Sequence, residues 1–287
     1  MDFDLTQSPY SDPGDLDVGG LPGDPGELAA LVRDVIIHRL EGERFGCVIP
    51  GERLRDDAEA RYVTELLRVL RARRDAPLTV RREPAERFVG TCRDFALLLC
   101  SLLRATGTPA RVRCGFATYF EEGFHDDHWV TEYRLPDGGA RLVDAQVLDP
   151  SYDVPFDPLD VPRDRFLVAG DAWRLCRTGR ATPALFGVGH LDGLAGLWFV
   201  RAAVLRDLAA RNGVEVLPWD GWGPELLDDA ALTEDEIALI DAVSAVGSEE
   251  EARLLYRDPR LTVPREIVSY TTYRGVRKVT LRPGAPR

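Results

Sequence analysis

Cys92, His128 and Asp144 are the residues of this chain whose types could together break and remake an acyl bond. A thiolate supplies the nucleophile, an imidazole takes and returns the proton, and a carboxylate fixes the imidazole's tautomer. Cys92 lies in Gly90-Thr91-Cys92-Arg93-Asp94-Phe95, which runs on through a nearly unbroken apolar stretch to Gly107. That pattern predicts a helix buried on most of its surface, with Thr91 as N-cap and Gly107 at the left-handed position past its end. A cysteine in the first turn sits beside unpaired backbone N–H groups and the positive end of the macrodipole, which favour thiolate over thiol. Gly90, lacking a Cβ, leaves room for a substrate carbonyl. Taken singly, the three have plainer readings as a buried small hydrophobe, a polar strand residue and a strand-end residue. Taken jointly, they describe one mechanism.

Positioning them requires a helix and a sheet. After Gly107, residues 110–120 alternate like a strand with a weak point at Gly115, and an acidic loop follows over 121–127. Residues 128–133 alternate again, 136–139 form a hairpin-type turn, and 141–146 return as a third strand. In that hairpin His128, near the start of one strand, and Asp144, near the end of the other, are expected to be roughly opposite each other. A sheet packed on the helix would then let the Cys92 thiol face His128. One helix followed by an antiparallel meander predicts the α+β class.

The same residues carry a resemblance. Gly90-Thr91-Cys92-Arg93-Asp94, the link Arg104-Ala105-Thr106-Gly107-Thr108-Pro109-Ala110-Arg111, the run His128-Trp129-Val130-Thr131-Glu132-Tyr133 and Val143-Asp144-Ala145-Gln146 together resemble the transglutaminase-like superfamily of papain-type cysteine enzymes. The likeness is specific over residues 87–150. More loosely, the chain is similar to bacterial transglutaminase-like proteins whose later part carries segments like 164–173 and 217–220. The resemblance implies a catalytic triad of Cys92, His128 and Asp144, with the backbone N–H of Cys92 as one oxyanion donor and an unnamed upstream side chain as the other. It also implies a transglutaminase-like/papain-like core, to which the residue spacing adds a largely helical C-terminal extension. The expected activity is acyl transfer or hydrolysis of transamidase, amidase or peptidase type, through a thioester at Cys92. Its substrate would bear an amide or thioester, with water or an amine as acceptor. No cofactor and no metal is called for. The alternative is a non-catalytic binding or scaffold protein on the same fold. A metal enzyme using His125, His128, Asp126 and Asp127 is a distant third.

The flanking sequence divides into a lead-in, a core over 26–150 and an extension over 151–287. Residues 1–25 are rich in Asp, Gly and Pro and are expected to be loosely ordered. Helical spacing predicts helices over 27–41, which places His38 within a helix, and over 57–73. In the extension, helices are expected over 166–178, 194–212 and 233–246, the last with a Thr233/Glu236 capping box, and a short one over 249–256. The aromatic stretch 214–223 reads as a structural corner, and 276–287 as a flexible basic tail. Cys100 and Cys114 are expected in the core, and His125 nearer the surface.

Composition excludes several partners. With a net charge of -12, the chain offers no basic stripe to nucleic acid or an anionic membrane. Five scattered cysteines, without a paired C-x-x-C spacing, suggest reduced thiols. Without a basic and apolar leader, a cytoplasmic protein is expected.

Overall fold

The computed structural model describes residues 5–226, 228–271 and 273–282. They form two compact units, one from residues up to Val112 with Val130–Val161, the other from Arg113–Trp129 with Pro162–Pro283.

In the first unit, helix α1 (Pro25–Val35) starts at an Asp24 cap that accepts the Glu27 N–H at 3.0 Å. It stops six residues before the expected end at Glu41, because the β-branched run Val35-Ile36-Ile37 turns extended. Ile36–His38 becomes strand β1, so His38 is a strand residue and not a helical one. The short helix α2 (Gly51–Asp56) is followed by a break before α3 (Val63–Arg73), where a single helix over 57–73 is expected. Between them Asp57–Glu59 make a single tight helical turn and the chain turns extended at Ala60 (φ -69°, ψ 112°), while the Asp57 carboxylate accepts from both Arg73 Nη atoms at 2.7 Å and from the Val89 N–H at 2.8 Å. Strand β2 (Phe88–Gly90) runs parallel to β1, pairing Ile36 with Phe88 and His38 with Gly90. It leads directly into helix α4 (Cys92–Ala105), which is buried from Cys92 through Arg104. Gly107 takes the expected left-handed conformation at φ +91°.

The lead-in is not loose where it is described; its first four residues lie outside the described set. Tyr10 stacks on Tyr62 at 5.1 Å, Gln7 donates to Ser101 O at 2.9 Å, and Arg104 donates to Ser11 Oγ at 3.0 Å. Side-chain hydrogen bonds to α4 thus supply the order that apolar content alone would not.

Strands β3 (Ala110–Ala117), β4 (His125–Arg134) and β5 (Ala140–Val143) follow as the expected meander, β4 beginning three residues early at His125. In the first unit β4 pairs antiparallel with β5, Thr131 against Val143, and Thr131 Oγ1 donates to Ala96 O of α4 at 2.9 Å. The sheet order is β5-β4-β3-β6, with β6 (Phe166–Val168) antiparallel to β3 and β7 (Phe186–Gly187) parallel to β4. Gly115 is required where β3 meets β6: a Cβ there would come within 2.2 Å of Leu167 O.

The second unit continues with α5 (Ala169–Arg177), α6 (Leu197–Arg211), β8 (Asp220–Gly221), α7 (Glu234–Ser244) and α8 (Glu249–Leu255). The Thr233/Glu236 capping box forms as expected. The 214–223 stretch is a structural corner, with Trp222 buried and its Nε1 donating to Leu261 O at 3.1 Å. The expected tail is corrected over its described part: β9 (Glu266–Thr271) and β10 (Gly275–Thr280) form an antiparallel hairpin joined to β8. Residues 283–287 lie outside the described set. Among the described residues the extension thus carries short strands beside its helices. No helix among the described residues is long and apolar enough to cross a membrane.

Candidate active site

Cys92 is the first residue of α4, 8% exposed, with a helix start built beneath it. Thr91 and Asp94 form a reciprocal capping box, the Thr91 N–H donating to Asp94 Oδ2 at 2.8 Å. Asp94 Oδ1 takes the Arg93 guanidinium at 3.0 Å, and both residues are only 1% exposed. Burial pushes the Asp94 carboxyl up, and the Arg93 charge opposes it. A Cβ on Gly90 would lie 3.0 Å from the Asp94 side chain, so the small residue lets the chain pass close over the cap.

Asp144 follows the last residue of β5 and is 1% exposed. Its backbone N–H donates to Pro158 O at 2.9 Å, and its Oδ1 accepts the Gln146 N–H at 3.0 Å. Cys92 and Asp144 belong to the first unit.

His128 belongs to the second unit, on β4, three positions before Thr131. The imidazole is 2% exposed and surrounded by ring edges: Phe120 at 4.9 Å, Tyr119 at 5.9 Å and Phe166 at 6.4 Å. Tyr119 and Phe120 carry no motif and are invisible as site residues in the sequence, although they sit in the loop that precedes β4.

His125 has a structural setting, stacked on Phe186 with centroids 4.2 Å apart and planes at 17°. Burial pushes its imidazole down, and its Nδ1 is buried without a hydrogen-bond partner. Beside it, Asp126 Oδ1 accepts the Gly189 N–H at 3.2 Å while Oδ2 is buried and unpaired. Burial pushes the Asp126 carboxyl up, with the charge of Glu121 adding to the shift and those of His128 and His190 opposing it. Folding therefore takes up a proton between the ordinary aspartate value of 3.8 and the raised one, and stability falls as pH rises through that window. Asp126→Asn is expected to be more stable than the parent at neutral pH and equal to it below pH 3.8, read as denaturant midpoints at the two conditions. Equal midpoints at neutral pH would remove the strain assigned to this carboxyl.

No group of three or more His, Cys, Asp and Glu is arranged to hold a metal ion among the described residues. Cys100 and Cys114 are fully buried, as expected of core cysteines. A cavity of about 240 Å³ lies in the first unit, bounded by Leu16, Leu21, Leu67, Leu70 and Leu78 with Arg82. None of the three sequence-predicted site residues lines it.

Residues 56–145 match the family model of the transglutaminase-like superfamily. This segment belongs to that superfamily. The transglutaminase-like segment begins at the end of α2, contains Cys92 and His128, and ends one residue after Asp144. A solved structure from Cytophaga hutchinsonii, described as a "Putative Cysteine Protease", is similar at 18% identity over 56% of this chain, with a TM-score of 0.22. The match covers 51% of that protein, so the chain spans about half its length. No curated protein matches the chain.

Proposed function

We propose that this chain is a cysteine-dependent acyl-transfer enzyme in which Cys92, His128 and Asp144 act as nucleophile, general base and orienting carboxylate. The observation that carries the reading is Cys92 as first residue of a buried, box-capped helix inside the transglutaminase-like segment. His128 and Asp144 follow it in the same segment in the order such a mechanism uses. Ring edges around His128 support a base held in one orientation with little water near it.

In this reaction His128 takes the Cys92 thiol proton, the sulfur attacks the carbonyl carbon of an amide or thioester, and the Cys92 N–H donates to the developing oxyanion. Collapse expels the amine or thiol, which takes its proton from the His128 imidazolium. Water or an amine, deprotonated by His128, then attacks the thioester and releases Cys92. The net charge of -12 favours a cationic or amine-bearing partner in the second half.

Intact-mass analysis with iodoacetamide and with p-nitrophenyl acetate tests the proposal. The parent is expected to gain one carbamidomethyl group rapidly at neutral pH and to show a transient acetyl adduct. Cys92→Ala is expected to show neither on that time scale. Acetylation that persists in Cys92→Ala, or a parent inert to both reagents while folded, overturns it; the second outcome supports a non-catalytic binding role.

A further inference from the structure

A chain of polar side chains in the first unit, buried at Glu41 and Gln146 and half-buried at Tyr152, ends on Asp144, and the acyl-transfer steps do not use Glu41, Tyr152 or Gln146. Asp144 Oδ1 is held by the backbone N–H of Gln146 at 3.0 Å. The Gln146 side chain donates from Nε2 to the Tyr152 hydroxyl at 3.1 Å, and that hydroxyl donates to Glu41 Oε1. Glu41 is 2% exposed and accepts, on Oε2, two Arg33 N–H groups at 3.0 Å and the His38 N–H at 2.7 Å.

The directions of these bonds are not interchangeable. Glu41 offers acceptors, so the Tyr152 hydroxyl must donate to it and can only receive from Gln146. Burial and the adjacent Glu41 push the Tyr152 phenol up, which keeps its proton in place. Gln146 must then present Nε2, which leaves its Oε1 buried without a partner. An orphaned buried acceptor is costly, so an amide fixed in this sense is held there by its neighbours. Other charges reach the relay as well: the Arg44 guanidinium lies 4.0 Å over the Tyr152 ring, and Arg33 lies 5.3 Å over the Phe95 ring of α4. At its far end the relay grips β1, where His38 pairs with Gly90 and the Arg39 N–H donates to Gly90 O at 2.9 Å, two residues before Cys92.

We propose that Glu41, Tyr152 and Gln146 are positioning residues that hold the Asp144 carboxylate and the strand leading to Cys92 in one frame, a role that rests on the acyl-transfer reading of Cys92 and Asp144. Pinning the amide end of Gln146 fixes the direction of its backbone N–H, and with it the carboxylate that the N–H holds. The relay touches no substrate and acts through Asp144.

The experiment compares Tyr152→Phe, Gln146→Met, Asp144→Asn and the double variant Tyr152→Phe/Asp144→Asn, using the iodoacetamide alkylation rate of Cys92 from pH 5 to pH 10. Melting curves report whether each variant is folded. Tyr152→Phe and Gln146→Met are expected to be alkylated roughly tenfold more slowly at neutral pH, the scale seen when an outer partner of a functional ligand is removed. Their profiles move to higher pH, as does that of Asp144→Asn, and the double variant shifts no further than Asp144→Asn alone. If Asp144→Asn shifts the profile while Tyr152→Phe keeps the parent's, the relay is overturned and the acyl-transfer reading stands. If Asp144→Asn leaves the profile unchanged, the role of Asp144 fails and the relay with it. Additive shifts in the double variant also overturn the relay, because they mark a merely structural effect. If Tyr152→Phe does not fold, Gln146→Met decides, since it keeps the backbone N–H and the side-chain length.

Discussion

His128→Ala is expected to transfer acyl groups at pH 7 on the order of 10⁴-fold more slowly than the parent, with folding intact. In the proposed mechanism the loss is large because one imidazole serves twice, removing the proton that would keep the sulfur neutral and delivering one to the leaving group. Its replacement is also poorly compensated by solvent. The ring edges of Phe120, Tyr119 and Phe166 leave His128 only 2% exposed, and water that enters the truncated site is a far weaker base than the ring it replaces. Added imidazole, which fits the hole left by the truncation, is expected to restore part of the rate. Single-turnover acetylation by p-nitrophenyl acetate measures both effects. A His128→Ala protein within tenfold of the parent would remove this residue from the mechanism.

The second large effect is on stability, at Asp207. This carboxylate lies on α6 and takes the Arg113 guanidinium through two bonds of 2.9 Å and the Cys114 N–H through a third of 2.9 Å. Both members of the pair are nearly buried, at 8% and 6% exposure. Asp207→Ala leaves a guanidinium in a low-dielectric setting with its main partner gone, and is expected to cost about 3–5 kcal/mol. The penalty belongs to the orphaned charge more than to the lost bonds. Replacing both residues, Arg113→Met with Asp207→Leu, is therefore expected to recover most of it. Urea denaturation of the three proteins checks the order: parent and double variant near each other, Asp207→Ala well below. A single variant within 1 kcal/mol of the parent would show that water reaches the pair.

The helix bearing Cys92 was legible because every local signal agreed: a Thr91 cap, an apolar run and a glycine stop at Gly107. The β4–β5 hairpin was legible for the same reason, its alternation and its turn pointing to one register. Where tertiary bonds overrode local preference, the sequence misled. Helical spacing carries through 27–41, yet Ile36–His38 is extended because a parallel partner, Phe88–Gly90, lies 52 positions later along the chain. The next predicted helix breaks at Ala60, which is extended, and no turn residue in the sequence marks that position. The N-terminal stretch reads as loose because its order comes from hydrogen bonds to Ser101 and Arg104, which composition does not encode. Around the candidate site, the reacting groups stand in motifs and their supports do not. Tyr152 lies in a Pro- and Asp-rich stretch, Glu41 in a turn after β1, and only the fold puts them in line with Asp144.

The two compact units interleave along the chain, and this bears on how the protein can be cut. The family match stops at Ala145, which invites expression of a minimal fragment ending there. Such a fragment would keep Arg113–Trp129 but discard what that excursion packs on: the edge strand at Phe166–Val168, the Phe186 ring under His125, and the Asp207 counter-charge. The boundary of sequence similarity is therefore not a boundary of cooperative folding, and the proposed proton-transfer residue rides on a stretch whose scaffolding leaves the ribosome only after it.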